Sequence, residues 1–302
     1  MILEKLYEYI GRWKNMKYRF LRFPGGKTKA VTFSYDDGCR EDLKTVQILD
    51  KYGMKGTFNI NTAGVLNDTM GFHMTEDEIR KNIVEKGHEV AVHGQWHKAP
   101  GLVRPIDGIQ DMLNGRMDLE RMFDRIIRGM AYPDSGILCF LNQTTYEDVR
   151  RYAKDLDIVY ARTLGYDNDQ FELPTDWLNW KPTAHHDNPN VLEWAKAFVE
   201  MDVNKEYFSS RRPKLFYVWG HSFEFERNNN WERLESICET LANKDDIWYE
   251  TNMEIYEYVT AFESLVYSAD GKKVYNPTLK ELWIDDNDGT LHSIKPGETI
   301  GL

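Results

Sequence analysis

Asp36-Asp37-Gly38 closes the apolar run Ala30-Val31-Thr32-Phe33, and a later segment reads His93-Gly94-Gln95-Trp96-His97. Adjacent carboxylates and a histidine pair at i, i+4 are the parts of a site for metal-assisted hydrolysis. Side chains alternate along a strand, so neighbouring Asp residues at its end face different ways, one to ligate an ion and the other to take a proton. A divalent ion such as Zn²⁺ held by two His and one carboxylate keeps positions open for water and a substrate carbonyl. Asp37, His93 and His97 offer that set, and Co²⁺ or Ni²⁺ suits the same donors. Each motif alone is weak, because Asp-Asp-Gly is a common turn sequence.

These groups need a frame. Glu89–Val92 before the His pair is strand-like, and Gly94 and Pro100 disfavour a helix through it. A loop at a strand end is the expectation, which is where barrel and open-sheet active sites sit. Along the chain, β-type runs at 30–34, 57–60, 89–92, 129–132, 158–160, 180–183, 214–219 and 247–249 alternate with amphipathic stretches. The stretches near 41–52, 75–85, 108–128, 145–155, 190–201 and 231–243 read as helices, giving βα units around a parallel sheet or barrel. Thr75 and Glu78 form a capping box, with Ile79 and Ile83 as the apolar stripe behind it. Met112, Leu113, Leu119, Met122, Phe123 and Ile126 read as another core-facing stripe.

The expected fold is α/β, a distorted (β/α) barrel of about seven strands over 29–265. Residues 1–28 form an N-terminal extension, and 266–302 a small β appendage. Asn276-Pro277, Asp285-Asp286-Asn287-Asp288-Gly289 and Pro296-Gly297 punctuate short alternating runs there. The acidic stretch lacks the distal Glu and flanking helices of a calcium loop and reads as a solvated hairpin turn.

Bulk properties narrow the function. The 302 residues can bury a sizeable core, and 41% apolar residues with nine Trp, 17 Tyr and 14 Phe are far from a disordered composition. A formal charge of −11 opposes general binding to nucleic acid, whose phosphates are held by Lys and Arg. Cys39, Cys139 and Cys238 form no Cys-x-x-Cys pair and read as mostly buried thiols. The first 23 residues lack the apolar core, about 7–15 residues long, of a signal peptide. No stretch resembles a membrane span. A cytoplasmic enzyme is the expectation, although a chain with its leader removed reads the same. Nothing speaks to oligomeric state.

In order and context the motifs resemble those of the polysaccharide deacetylase family, carbohydrate esterase family four, over roughly 29–258. Ser34-Tyr35-Asp36-Asp37-Gly38 is similar to its first motif, which implies that Asp36 is the general base and Asp37 a metal ligand. His93 to His97 resembles the second, with Gly94 in place of the hydroxyl residue that usually braces the loop. The third motif falls on Ala131-Tyr132-Pro133-Asp134-Ser135-Gly136. Its Arg, which orients the base, is absent; Arg128 and Arg162 are the available replacements. Asp134 then carries a backbone N–H toward the developing oxyanion. Pro174-Thr175-Asp176-Trp177 and Tyr217-Val218-Trp219-Gly220-His221 resemble the last two motifs. They imply His221 as general acid with Asp176 holding its imidazole, Glu224 being a second possible orienter and a cap the commoner role for a lone Asp.

The resemblance implies a metal-dependent hydrolase that removes acetyl groups from an N- or O-acetylated sugar. Tyr132, Asp134, Trp177, Trp180 and His185 are the candidate substrate contacts, the last two from the segment Trp180-Lys181-Pro182-Thr183-Ala184-His185-His186. Hydrolysis of a small cyclic amide or ureide on the same scaffold is the first alternative, and a non-catalytic carbohydrate-binding barrel the second. Ser34 and Cys39 have no adjacent base for nucleophilic catalysis. His73, His88 and His292 lack partners at ligand spacing and read as surface or satisfied core groups.

Overall fold

A computed structural model describes residues 18–302 apart from 166, 168, 207, 287 and 288. Most of the N-terminal extension and the tip of the 285–289 turn therefore lie outside the described residues. In chain order, β1 (Arg19–Arg22) leads to β2 (Lys29–Asp36), α1 (Asp42–Lys51), β3 (Gly56–Ile60), α2 (Thr62–Asn67) and α3 (Glu76–Ile79), which runs into a π turn over Arg80–Val84. Then come β4 (Glu89–Val92), α4 (Pro105–Phe123), β5 (Gly129–Ala131), α5 (Tyr146–Asp155), β6 (Tyr160–Arg162) and β7 (Ala184–His185). After α6 (Val191–Glu200) follow β8 (Lys214–Gly220), α7 (Ser222–Asn228), α8 (Trp231–Leu241), β9 (Ile247–Tyr249) and α9 (Asn252–Glu263). The chain ends in β10 (Val266–Tyr267), β11 (Lys273–Tyr275), β12 (Leu282–Asp286), β13 (Leu291–Ile294) and β14 (Thr299–Gly301).

Seven parallel strands run in the order β6-β5-β4-β3-β2-β8-β7, with β9 beside the start of β2. The sheet curls into an open barrel. One stretch of chain reaches both of its edges: Trp180 bridges to Arg162 on β6, while Ala184 and His185 pair with Val218 and Trp219 on β8.

Alternation along β2 explains its role. Val31, Phe33 and Tyr35 face the surrounding helices and pack with Phe58, Ile60, Val90, Val92 and Phe216. Each such side chain contributes about 1.5–3 kcal/mol by leaving water. Ala30 turns inward to a second core with Tyr160, Trp180, Leu215 and Tyr217. The intervening Thr32, Ser34 and Asp36 are buried and polar. They carry the inward face from an apolar interior to the barrel mouth, where Asp36 ends the strand.

The expected elements are present with shifted boundaries. β6 starts two residues later than the β-type run at 158–160, because Ile158 still donates its N–H to Ala153 at the end of α5. β7 replaces the run at 180–183, where Pro182 has no N–H to give a strand ladder. α4 stops at Phe123 because Asp124 turns left-handed at φ 50°. Ile126 is therefore 76% exposed and Leu113 also reaches solvent, so neither belongs to the core stripe that Met112, Leu119, Met122 and Phe123 do form. The short helices α2 and α7 follow strands directly and leave little periodic signal.

The C-terminal strands form two small antiparallel sheets, β1-β12-β13 and β10-β11-β14. The first recruits β1 from the other end of the chain, tied by the ion pair of Arg22 with Asp285. Leu21, Leu282 and Ile284 continue the inner core through Tyr258 and Val259 of α9, so the appendage plugs the barrel's lower end. No described helix is long and apolar enough to cross a membrane.

Candidate active site

Asp37, His93 and His97 meet at the mouth of the barrel. His93 Nε2 and His97 Nε2 lie 3.7 and 3.4 Å from Asp37 Oδ1. A tetrahedral ion with bonds of about 2.0–2.2 Å sets its ligands about 3.3–3.6 Å apart, so the group fits such an ion. His93 Nδ1–H donates to the Ala131 carbonyl at 2.9 Å, which leaves the Nε2 lone pair facing the cluster. Burial holds the His93 pKa below its ordinary value despite Asp36 and Asp37, which keeps the imidazole neutral as a ligand must be.

Strand alternation alone would send Asp37 away from Asp36, and here the sequence reading needs correction. Asp37 takes φ 79°, and this left-handed turn brings both carboxylates to the same side, with His93 Nε2 4.0 Å from Asp36 Oδ2. His97 is also left-handed, at φ 54°. Such conformations cost about 1–3 kcal/mol each and persist where the surroundings impose them.

Helix α4 imposes one of them. Its buried Asp111 accepts the Trp96 N–H at 2.7 Å, while its backbone carbonyl accepts from Gln95 at 3.0 Å. A Cβ on Gly94 would stand 2.2 Å from Asp111 Oδ2. The hydroxyl expected at that position is thus replaced by a carboxylate from a distant helix, and only glycine leaves it room. No local signal in the sequence points to Asp111.

Asp36 has a different environment. Arg162, at the end of β6, donates to its Oδ2, and Asn59 Nδ2 donates to Oδ1 at 2.8 Å. Burial alone would raise the Asp36 pKa, but Arg162 and His93 outweigh it and hold the carboxyl below its usual range. Of the two candidate guanidiniums, Arg162 is therefore the one beside Asp36, whereas Arg128 pairs with Asp157 at 2.8 Å on the surface. Asn59 sits opposite Asp36 in the β2–β3 register, a pairing that the two strand patterns place only once they are aligned. The Trp219 ring lies 4.3 Å from the Arg162 guanidinium carbon and covers it.

His221 follows β8 and lines the same cleft. Its Nδ1 lies 3.4 Å from Glu224 Oε2, which also accepts the His221 backbone N–H at 3.3 Å. Burial would lower the His221 pKa, but Glu224, Asp36 and Asp37 together raise it. The carboxylate beside His221 is thus Glu224, and the expectation for Asp176 is corrected. Asp176 Oδ1 caps the turn Trp177–Asn179 through the Leu178 N–H at 3.1 Å, and its Oδ2 accepts from Tyr146 Oη at 2.5 Å.

The cleft has a volume of about 480 Å³. Beyond the groups above it is lined by Tyr132, Asp134, Ser135, Leu138, Cys139 and Leu164. Tyr132 is buried with its hydroxyl on the Leu178 carbonyl, so it presents its ring. Asp134 is left-handed, at φ 49°. Two expected contacts do not line the cleft: Trp180 is fully buried against Tyr160 and Tyr217, and half-buried Trp177 packs edge-on against Trp180 and Tyr256. His185 sits behind the cleft wall, edge-on to Trp219 and 3.2 Å from Glu224. Cys139 is exposed on the cleft, unlike the buried Cys39 and Cys238.

The sequence model of the family described as Polysaccharide deacetylase matches residues 23–161, a little under half of the chain, and the chain is similar to that family over this part. No curated protein matches it. Among solved structures, a Mycobacterium smegmatis protein assigned as a polysaccharide deacetylase is similar over 80% of this chain and 94% of its own, at 17% identity and a TM-score of 0.53, a likeness of fold. A Streptococcus pyogenes deacetylase in complex with acetate is 18% identical over 45% of this chain, with a TM-score of 0.39; the match spans 55% of that protein's length. A family-four pseudoenzyme from Bacillus anthracis is 14% identical over 78% of this chain and 68% of its own, with a TM-score of 0.44.

Proposed function

We propose that this protein is a metal-dependent hydrolase that removes acetyl groups from an N- or O-acetylated sugar. One observation carries the reading: a carboxylate held ionised by Arg162 shares a cleft with an Asp-His-His ligand set and with His221, whose pKa is raised. Asp37, His93 and His97 would hold the ion, zinc being the first choice, and when bound it would polarise a carbonyl and acidify water.

The remaining work falls to the protein. Asp36, kept charged by Arg162 and oriented by Asn59, takes a proton from the attacking water. The Tyr132–Ser135 loop positions the acetyl group, and the Asp134 backbone N–H serves the developing oxyanion. His221, protonated with help from Glu224, gives its proton to the departing sugar nitrogen or oxygen as the bond to the acetyl carbon breaks. Acetate and the free amine or alcohol are the products, with no covalent enzyme intermediate.

The test is acetate release from acetylated chitooligosaccharides, xylan and peptidoglycan fragments, run on metal-reconstituted protein beside Asp36→Asn. Acetate from one class, reduced about 10²–10⁴-fold in the variant at unchanged metal content, is expected. No acetate from any substrate, with metal content confirmed, would overturn the reading in favour of a cyclic-amide hydrolase or a sugar-binding barrel.

A further inference from the structure

A second group of ligand-type side chains, His185, His186, Asp187 and Glu224, meets where the end of β7 packs against the first turn of α7. His186 is fully buried, stacked on Phe225 at 4.1 Å and near Tyr35 at 5.9 Å. Neither of its ring nitrogens has a hydrogen-bond partner. Burying an imidazole with both nitrogens unpaired is costly, because each gives up its bond to water without replacement. Its surroundings are built to hold it nonetheless: a Cβ on Gly220 would stand 2.0 Å from His186 Nδ1, so only glycine lets β8 pass.

The unpaired Nε2 points at acids. Glu224 Oε2 is 3.3 Å away and Asp187 Oδ1 3.7 Å. The first spacing falls within, and the second just above, the edge of about 3.3–3.6 Å in a tetrahedron around a zinc-sized ion. Glu224 Oε2 also lies 3.3 Å from the His221 backbone nitrogen, 3.4 Å from His221 Nδ1 and 3.2 Å from His185 Nε2. Burial and the neighbouring His185 push the His186 pKa down to about 2, so its ring stays neutral and able to ligate.

We propose that His186 Nε2, Asp187 and Glu224 form a second metal site, which takes a divalent ion such as Zn²⁺ and pins the β7–α6 loop to the start of α7. His185 supports the site without being a ligand. Its Nδ1 accepts the Asp187 backbone N–H at 3.1 Å, so its Nε2 carries the proton and faces Glu224. Outer contacts steady the acids as in other metal sites: Asn228 and Asn230 amides reach Asp187 at 3.3 and 3.4 Å, and Arg233 Nε holds the His186 carbonyl at 2.6 Å.

The test counts Zn²⁺ per chain after equilibrium dialysis, with circular dichroism as the folding check. Wild type should bind two ions, Asp37→Ala one, Asp187→Ala one, and the double variant none. His186→Asn should match Asp187→Ala; if it does not fold, Asp187→Ala, altered at a side chain about one-third exposed, decides alone. One ion in wild type that disappears entirely in folded Asp37→Ala would overturn the second site and leave the mouth site standing. Loss in Asp187→Ala with none in Asp37→Ala would do the reverse.

Discussion

The barrel has two polar networks, one at each end, and they differ in completeness. At the floor, Asn252 donates to Tyr217 Oη at 2.6 Å, accepts from Thr32 at 2.9 Å and gives its backbone N–H to Thr57 Oγ1 at 3.0 Å. Beside it Glu89 accepts from Thr57, Tyr160 and the Met253 N–H, at 2.9, 2.6 and 2.9 Å. Burial, partly offset by these donors, pushes the Glu89 pKa up to about 7. At the mouth, Asn59 Oδ1, Arg162 Nε and Nη1 and Trp219 Nε1 are buried without hydrogen-bond partners among the described residues. A network that closes on itself serves stability, whereas one left open is built to receive something.

The sharpest way to break this comparison is at Arg162. In Arg162→Gln the charge that keeps Asp36 ionised is gone, and burial, the largest influence on that carboxyl, acts unopposed by it. The acid limb of kcat/KM should then move to higher pH by about 1–3 units, with activity lost progressively below it. An unmoved acid limb would separate Arg162 from the base.

Asn252→Ala probes the opposite end. It should cost about 1–3 kcal/mol for each hydroxyl left unpaired, read by urea unfolding, while kcat/KM stays at the wild-type value. A loss of activity without a loss of stability would make the floor part of the site.

Glu224→Gln is the smallest expected change. Glu224 raises the His221 pKa, so its neutral replacement should bring the alkaline limb of kcat/KM to lower pH, by about one unit. An alkaline limb that stays in place would remove His221, or its link to Glu224, from the acid role.

The parts of this site that are local in the chain could be read in advance. β2 announces itself by β-branched and aromatic alternation, and the Asp pair at its end and the His pair after β4 lie one step beyond strands with clear boundaries. Groups that reach the site from elsewhere were harder to read. Arg162 and Arg128 were equal candidates because their choice depends on which strand ends at the mouth, and β6 reaches it only by pairing with β5. Trp177 and Trp180 looked like sugar platforms because an aromatic near a motif carries no mark of its burial. Asp176 sits in a motif whose resemblance places it on His221, but its oxygens are occupied by Leu178 and Tyr146.

The sequence by itself determined the barrel's βα rhythm and which polar residues gather at its mouth, because hydrophobic period and motif order are properties of neighbouring residues. Tertiary structure alone decided that Asp37 turns left-handed to join Asp36, that Asp111 fills the space above Gly94, and that Glu224 faces three histidines. Those contacts form between segments distant in the chain, through burial and charge that no local window of sequence contains.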